Sequence, residues 1–428
     1  MLVHYQLCYS PILRFWRLQK YEISRNQTAK LNRLQPNDIL RVLYKTKLTD
    51  IMKRLILMVL LTPVLQAQKP EKIHPFARHH YSTAYLQEQQ ALWKKETEKE
   101  PRNPENWYNY YYVNRNLYFA DTTRMVRKKQ YEVTSALIGE MEKHIADSYE
   151  YNLVKWLHGS WDMKLIPYLR KAQALGPDRP EHVDYSIVLA EMDGNIAARD
   201  KWSGKKNEAG QFSTGLMYYN YNVLSGLPPN TILLTSGDND TYPIWYLQSL
   251  GIRKDVTILH TTMINLQEYR DAVLKKLNVK SWTGTVTPWH DEKEKTNIVT
   301  WLSGQVARPV CVALTANHHA KCAPAENMYL TGLVYSYSKT PMDNIALLKR
   351  NFEQVYALDY LDKTFFPDIS EDIVRIVNGN YIVPMLRLYE HYSAAGDIYQ
   401  AGRMKRLLLA IVKDTDSEED VKKKLAAL

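Results

Sequence analysis

Residues 227–259 read LPPNTILLTSGDNDTYPIWYLQSLGIRKDVTIL. Thr231–Thr235 (TILLT) is a short apolar run opened by Pro228, Pro229 and Asn230 and closed by Ser236 and Gly237, the pattern of a buried strand. Gly237, Asp238, Asn239, Asp240 and Thr241 then carry turn and helix N-cap chemistry, and Pro243 stands where the first turn of a helix tolerates a missing N–H. The spacing predicts a helix to Leu250, ended by Gly251, and a second β-branched strand over Asp255–Leu259 (DVTIL). Strand, acidic turn, helix and strand make a βαβ unit. Such units are right-handed and build parallel sheets, with ligands in the crevice beyond the strand C-termini.

Downstream, Gln267–Leu277 and Ile298–Val306 read as helices around a polar excursion over Ser281–Lys295, and Pro309–Leu314 (PVCVAL) as a third buried strand. In one parallel sheet, three turns share an edge: Gly237–Thr241, His260–Asn265 and Thr315–Cys322. Asp238, Asn239, Asp240, Thr241, His260, Asn265, Asn317 and His318 are therefore the candidate ligand-binding residues. Asp238 and Asp240 are also a candidate pair for a divalent cation bridging phosphate oxygens, the one cofactor class the residues suggest. Turn chemistry offers the competing account, because Asp240 or Thr241 suits a helix N-cap whatever the function. Adjacent His318 and His319 point to opposite faces of an extended segment and rarely ligate one ion together. A single Gly237 makes no phosphate loop, and no GxSxG, HExxH or CxxC string is present.

The string Gly237–Thr241, Pro243, Trp245–Gln248, Gly251–Arg253 and Asp255-Val256 closely resembles the soluble C-terminal region of a large bacterial family of multi-spanning membrane proteins, protein O-mannosyltransferase-like and of unknown function. The likeness continues through Gly332–Tyr335 and, more loosely, Arg387–Asp397, covering roughly the second half of the chain. In that family the glycosyltransferase-like chemistry is assigned to the membrane-spanning half. Nothing comparable occurs here, so the resemblance implies a related soluble module without implying catalysis.

From Ser82 to Gly226 the chain reads as helix pairs. Tyr85–Glu98 and Glu105–Asn116 flank PRNP, Leu165–Leu175 and Glu181–Met192 flank GPDRP, and Ile196–Lys206 precedes Phe212–Leu224. The second helices of the later pairs repeat at close to the period of about 34 residues of a tetratricopeptide array. Helices return at Asn344–Val355, Tyr381–Ala394 and Ile398–Val412, while charged Ser417–Leu428 is expected to fray. The fold class expected is thus α/β, a small parallel Rossmann-like βαβ module flanked by tetratricopeptide-like repeats. Trp107, Tyr108, Tyr110, Tyr111 and Tyr112, with Tyr218, Tyr219 and Tyr221, suit either a ligand groove or, the preferred account, packing between helices.

The 428 residues carry a formal net charge of +10 with a mean hydropathy of −0.43. Residues 1–54 account for +8 of that charge, which leaves about +2, scattered without a basic aromatic stripe, so nucleic acid is not an expected partner. Met52–Gln68 (MKRLILMVLLTPVLQAQ) has the basic start, apolar core and small residue of a signal peptide. The expected organisation is an upstream extension (1–51), a signal peptide (52–67), a helical region (68–226), an α/β module (227–342) and C-terminal helices (343–428). The expected location is periplasmic or otherwise exported, without membrane spans after signal removal. In an oxidising space Cys311 and Cys322 are candidates for a disulfide, or else two buried thiols. His74, His79 and His80 are expected to be solvated.

These readings point to an exported, non-enzymatic scaffold or binding protein. Its repeats would engage a protein partner, and its module a glycan or small phosphorylated ligand. The alternative is a metal-dependent enzyme acting through Asp238 and Asp240 on a phosphorylated or glycosyl substrate. A third reading is a soluble subunit that complements a membrane-bound relative.

Overall fold

The computed structural model describes residues 69–120, 124–280, 298–316, 323–363 and 368–427. The signal-peptide segment, Asn317, His318, His319 and Cys322 lie outside them. Backbone packing separates two units, residues 1–71 with 413–420 and residues 72–412 with 421–428. In the first, the Asp414 N–H donates to Glu418 at 2.8 Å.

The second unit opens with helices α1 (Thr83–Lys99), α2 (Pro104–Ala120), α3 (Arg124–Ile145), α4 (Tyr149–His158), α5 (Ile166–Leu175), α6 (Val183–Met192), α7 (Ile196–Glu208) and α8 (Thr214–Gly226). Neighbours in the chain pack as pairs, α1 on α2, α4 on α5 and α6 on α7. Side-chain caps start several of them: Ser82, Ser148, Asn195 and Ser213 each accept a backbone N–H three residues on. Helices α3 and α4 fall in a stretch where no break residues frame a pattern. Trp107, Tyr108, Tyr111 and Tyr112 are buried between helices, as the packing account expects.

The sheet follows: β1 (Ile232–Thr235), α9 (Asp238–Ser249), β2 (Thr257–His260), α10 (Gln267–Lys276), α11 (Ile298–Gln305), β3 (Val310–Ala313), β4 (Met328–Leu330) and β5 (Val334–Tyr337). Strand order is β2-β1-β3-β5-β4. β1 pairs in parallel with β2 and β3, whereas β5 runs antiparallel to both β3 and β4. The sheet is therefore mixed, with β5 inside it and β4 outermost. Because β2 and β3 flank β1 on opposite sides, the chain switches direction at the C-terminus of β1. Helices α12 (Asn344–Arg350), α13 (Glu371–Asn378), α14 (Ile382–Ala394), α15 (Ile398–Val412) and α16 (Glu418–Ala427) close the chain. The expected fraying of the last stretch is corrected: within it Val421 and Leu425 are buried, an i, i+4 pair that gives the helix an apolar face.

Much of the shared string turns out to be architecture. The Gln248 amide donates to the carbonyls of Val256 at 2.8 Å and Arg253 at 3.1 Å, clamping the helix to the loop that feeds β2. Arg253 donates to the carbonyls of Leu224, Leu227 and Pro228 and grips Asp255, whose carboxyl it holds below the usual range. Gly332 has φ +151° and its α-carbon faces the Tyr356 hydroxyl, so a Cβ there would sit 2.1 Å from that oxygen. Helix α7 is locked over the module by Arg199, which pairs with Glu191 at 2.8 Å and lies 5.6 Å from the Trp245 ring centroid.

One apolar core gathers the sheet, α9, α14 and α15 together with Val183, Ile187 and Val188 of α6. A second fills the space among α1–α5 and includes Leu189. Helix α6 therefore feeds both cores. Among the described residues no helix is long and apolar enough to cross a membrane.

Candidate functional site

At the C-terminal edge of β1 the backbone must leave a buried strand and enter a helix within two residues, exposing N–H groups that need acceptors. Asp240 supplies them. Its carboxylate accepts from the N–H of Gly237 at 2.7 Å and of Ser236 at 3.0 Å, and from the Thr315 hydroxyl at 2.7 Å. Only 5% exposed, it is consumed by the turn and ties β1 to the segment after β3. Thr241 donates its hydroxyl to Thr235 at 2.8 Å.

The second turn is knitted to the first. Thr261 donates to the Ser236 hydroxyl at 3.0 Å and Thr262 to the Ser236 carbonyl at 3.2 Å. The buried His260 ring accepts the N–H of Thr262 at Nδ1, 3.2 Å away, which places its proton on Nε2. Burial lowers its pKa, against the pull of Asp240, so the ring is neutral. Asn265 donates to the Thr262 carbonyl at 3.2 Å. The expected convergence at this edge is real for Asp240, Thr241 and His260, and their polar groups serve the fold.

Asn239 and Asp238 face elsewhere. The Asn239 amide donates to the Ala77 carbonyl at 2.9 Å, and its own carbonyl accepts from Asn220 at 2.8 Å. It thereby holds a strap, residues 72–82, which is further pinned by Asn116 to the His74 carbonyl and by the His80 N–H to Asp372, each at 2.8 Å. The expectation of solvated histidines is corrected for His80, while the His79 side chain stays largely exposed. His80 stacks on Phe76 at 4.3 Å, Phe76 stacks on Phe119 at 5.5 Å, and His79 lies 3.7 Å from Asp372.

Asp238 begins α9 and is the most exposed residue of Gly237–Thr241. Its carboxylate meets the Tyr242 hydroxyl one turn on and lies close to Asp184 of α6 and Lys206 of α7. Lys206 pairs with Asp184 and rests 5.8 Å from the Tyr242 ring centroid and 5.4 Å from that of Phe212. Asp238 thus keeps a water-reached surface while protein crowds round it, and burial with the Asp184 charge pushes its carboxyl up to about 6. Half-buried Tyr185 is close enough to Asp184, Asp238 and Arg115 of α2 to feel the charge of each.

Asp238 and Asp240, two helix positions apart, project to different sides of α9, and among the described residues no three His, Cys, Asp or Glu are grouped to hold a metal ion. Cys311 is a free thiol buried in β3, 3.3 Å from the Ser336 hydroxyl, and burial pushes its pKa up to about 11; its candidate disulfide partner Cys322 lies outside the described residues. A cavity of about 430 Å³ lined by Pro229, Asn230, Asp255 and Arg308 lies at the opposite end of the strands. There Arg308 already donates to the Asn230 carbonyl and the Thr257 hydroxyl.

Asp184, Tyr185, Lys206 and Arg115 escaped the sequence reading. Each is an unremarked polar position on a helix, and only the packing of α6 and α7 against α9 brings three of them to Asp238.

The family model described as TMEM260-associated domain 2 matches residues 217–297, from within α8 through α10. No curated protein matches the chain.

Proposed function

We propose that this chain is an exported, non-enzymatic binding protein in cell-envelope or glycan biology, which holds a hydroxyl-rich ligand at the seam between its helical pairs and its α/β module. The observation that carries this reading is the placement of Asp238. Every other polar side chain of the Gly237–Thr241 string is spent on the turn or the strap, while Asp238 reaches solvent beside Asp184, Lys206, Tyr185 and Tyr242. Carboxylates accept paired hydroxyls, and tyrosines offer flat apolar area with one hydroxyl at small entropic cost. The matched family is linked to membrane-protein glycosylation, and the shared string resembles a protein O-mannosyltransferase-like family; both favour a glycan over other hydroxylated ligands. Export rests on the leader-like Met52–Gln68, and the helical pairs supply the surface for a protein partner.

The test is a glycan panel read by melting temperature and calorimetry, with the parent and Asp238→Asn. A saturable shift in the parent, lost in a folded variant, supports the seam. Equal binding by both sinks it. Export is tested by fractionating cells that express the full chain; recovery in the cytosol with an intact N-terminus removes that part.

A second reading draws on one observation. Asp184 forms an ion pair with Lys206, while the neighbouring Asp238 carboxyl is raised, so two adjacent carboxylates sit in different surroundings, as the acid and base of glycosyl chemistry do. Turnover of activated glycosides, abolished by either Asp184→Asn or Asp238→Asn, would favour an enzyme over a binder.

A further inference from the structure

The strap, residues 72–82, makes a turn at residues 76–78, where the Arg78 and His79 N–H groups donate to the Pro75 carbonyl, and is otherwise without regular structure. Backbone groups of such a segment need partners, and side chains of the body supply them. Asn109 of α2 accepts the Ile73 N–H at 3.3 Å, and Asn116, two turns further along the same helix, donates to the His74 carbonyl at 2.8 Å. Asn239 at the start of α9 donates to the Ala77 carbonyl at 2.9 Å, and Asp372 of α13 accepts the His80 N–H at 2.8 Å. Side chains from three helices thus hold the strap by its backbone, which any sequence offers.

Two strap side chains turn inward. Ile73 is 2% exposed and joins the core among α1–α5, while half-buried Phe76 stacks on Phe119 of α2 at 5.5 Å. Acidic groups stand toward both ends of the strap: Glu181 is within electrostatic reach of Lys72, and Asp372 lies 3.7 Å from the His79 ring. Between them Arg78 donates to the Gln211 carbonyl at 3.4 Å. When a peptide binds in extended form, main-chain bonds supply affinity and pockets for a few side chains supply specificity.

We propose that the face formed by Asn109, Asn116, Phe119, Asn239 and Asp372 is a receptor groove for an extended, basic segment of a partner protein, and that the strap is its built-in occupant. The partner segment carries an aliphatic and an aromatic anchor three residues apart, as the strap does. This rests on the reading that the helical pairs serve a protein partner, and it names the surface and the chemistry. Tethered to α1, the strap competes at an effective concentration on the order of millimolar, so a partner must outcompete it.

The test uses the full chain with Phe76→Ala, which loosens the strap and leaves the groove side chains in place, beside the parent. A labelled peptide of residues 72–81 is followed by fluorescence anisotropy. It should bind the variant saturably and about tenfold or more tighter than the parent, where the attached strap competes. A second peptide keeps Lys72, Ile73, Phe76 and Arg78 and replaces the other side chains by Ala or Ser; it should bind as the first does. Asn116→Ala or Asn239→Ala, added to the variant, should weaken both peptides by about fivefold, the loss of one hydrogen bond. If the first peptide binds and the second does not, the groove is reserved for the strap and the proposal is overturned. It is also overturned if neither binds a variant whose faster amide exchange over residues 74–80 shows the strap released. Should exchange be unchanged in Phe76→Ala, His80→Pro removes the N–H given to Asp372 and is judged by the same two outcomes. Glycan binding is read in the same samples, so peptide failure with glycan binding kept overturns this inference and leaves the seam standing.

Discussion

The Asp240 carboxylate accepts the Gly237 N–H at 2.7 Å, across the turn that joins the central strand to its helix. The same carboxylate takes the Thr315 hydroxyl, so one side chain closes the turn and fastens a neighbouring loop to it. Replacing Asp240 by Ala leaves the Ser236 and Gly237 N–H groups without their acceptor in a largely dry place. We expect a loss of about 2–4 kcal/mol in urea unfolding, from an unmet cap and buried donors. Asp240→Asn keeps one good acceptor and should lose about half as much.

Asp238 should behave in the opposite way. Its folded-state carboxyl is raised from 3.8 to about 6, so its contribution favours the folded state at low pH and is lost as pH rises through 6. Asp238→Asn removes that penalty. The variant should melt higher than the parent at pH 7, and the difference should vanish below about pH 4. A variant that melts lower than the parent at pH 7 would show that the carboxylate is a cap after all.

His260 adds a second pH dependence. Its ring is kept neutral by burial and accepts backbone N–H groups, so its folded pKa lies below the unfolded value. Stability from this residue is present above the ordinary histidine pKa of about 6.5 and is lost as pH falls below it. Nitrogen-detected NMR should find the proton on Nε2 at pH 7, with titration displaced to more acidic pH than a free histidine.

Gly332 should tolerate no side chain. A Cβ would lie 2.1 Å from the Tyr356 hydroxyl, and φ of +151° strains any L residue. Gly332→Ala is expected to cost about 2–4 kcal/mol by chemical denaturation. Pairing it with Tyr356→Phe should recover part of the loss, because the offending oxygen is gone, although the Leu333 N–H then loses its acceptor.

Asn239→Ala should free the strap without unfolding the sheet. Only the bond to the Ala77 carbonyl is removed on that side, worth about 1 kcal/mol. Amide exchange over residues 74–80 and tryptic cleavage after Arg78 should both speed up, while exchange in β1 stays unchanged.

What the sequence determined by itself was local. The run TILLT, the turn GDNDT, Pro243 and Gly251 each act within a few residues, through burial, capping and allowed backbone angles, and they place β1, β2 and the end of α9 to within two residues; the helix begins earlier than expected, with Gly237 and not Asp240 or Thr241 as its N-cap and with Pro243 inside it. The alternation of apolar helices with short breaks likewise marks most helical pairs, whereas α3, α4 and α13 carry no such punctuation and pass unseen. Tertiary structure decided the rest. Whether β5 lies inside or at the edge depends on pairing with β4, a three-residue strand without a pattern of its own. Whether an aspartate is a cap or a free carboxylate depends on which side of α9 it leaves and what stands there. Asp240 meets N–H groups of its own turn; Asp238 meets Asp184 and Lys206, brought from other helices. Electrostatic partners are chosen by distance in space, and the order of residues along a chain does not specify it.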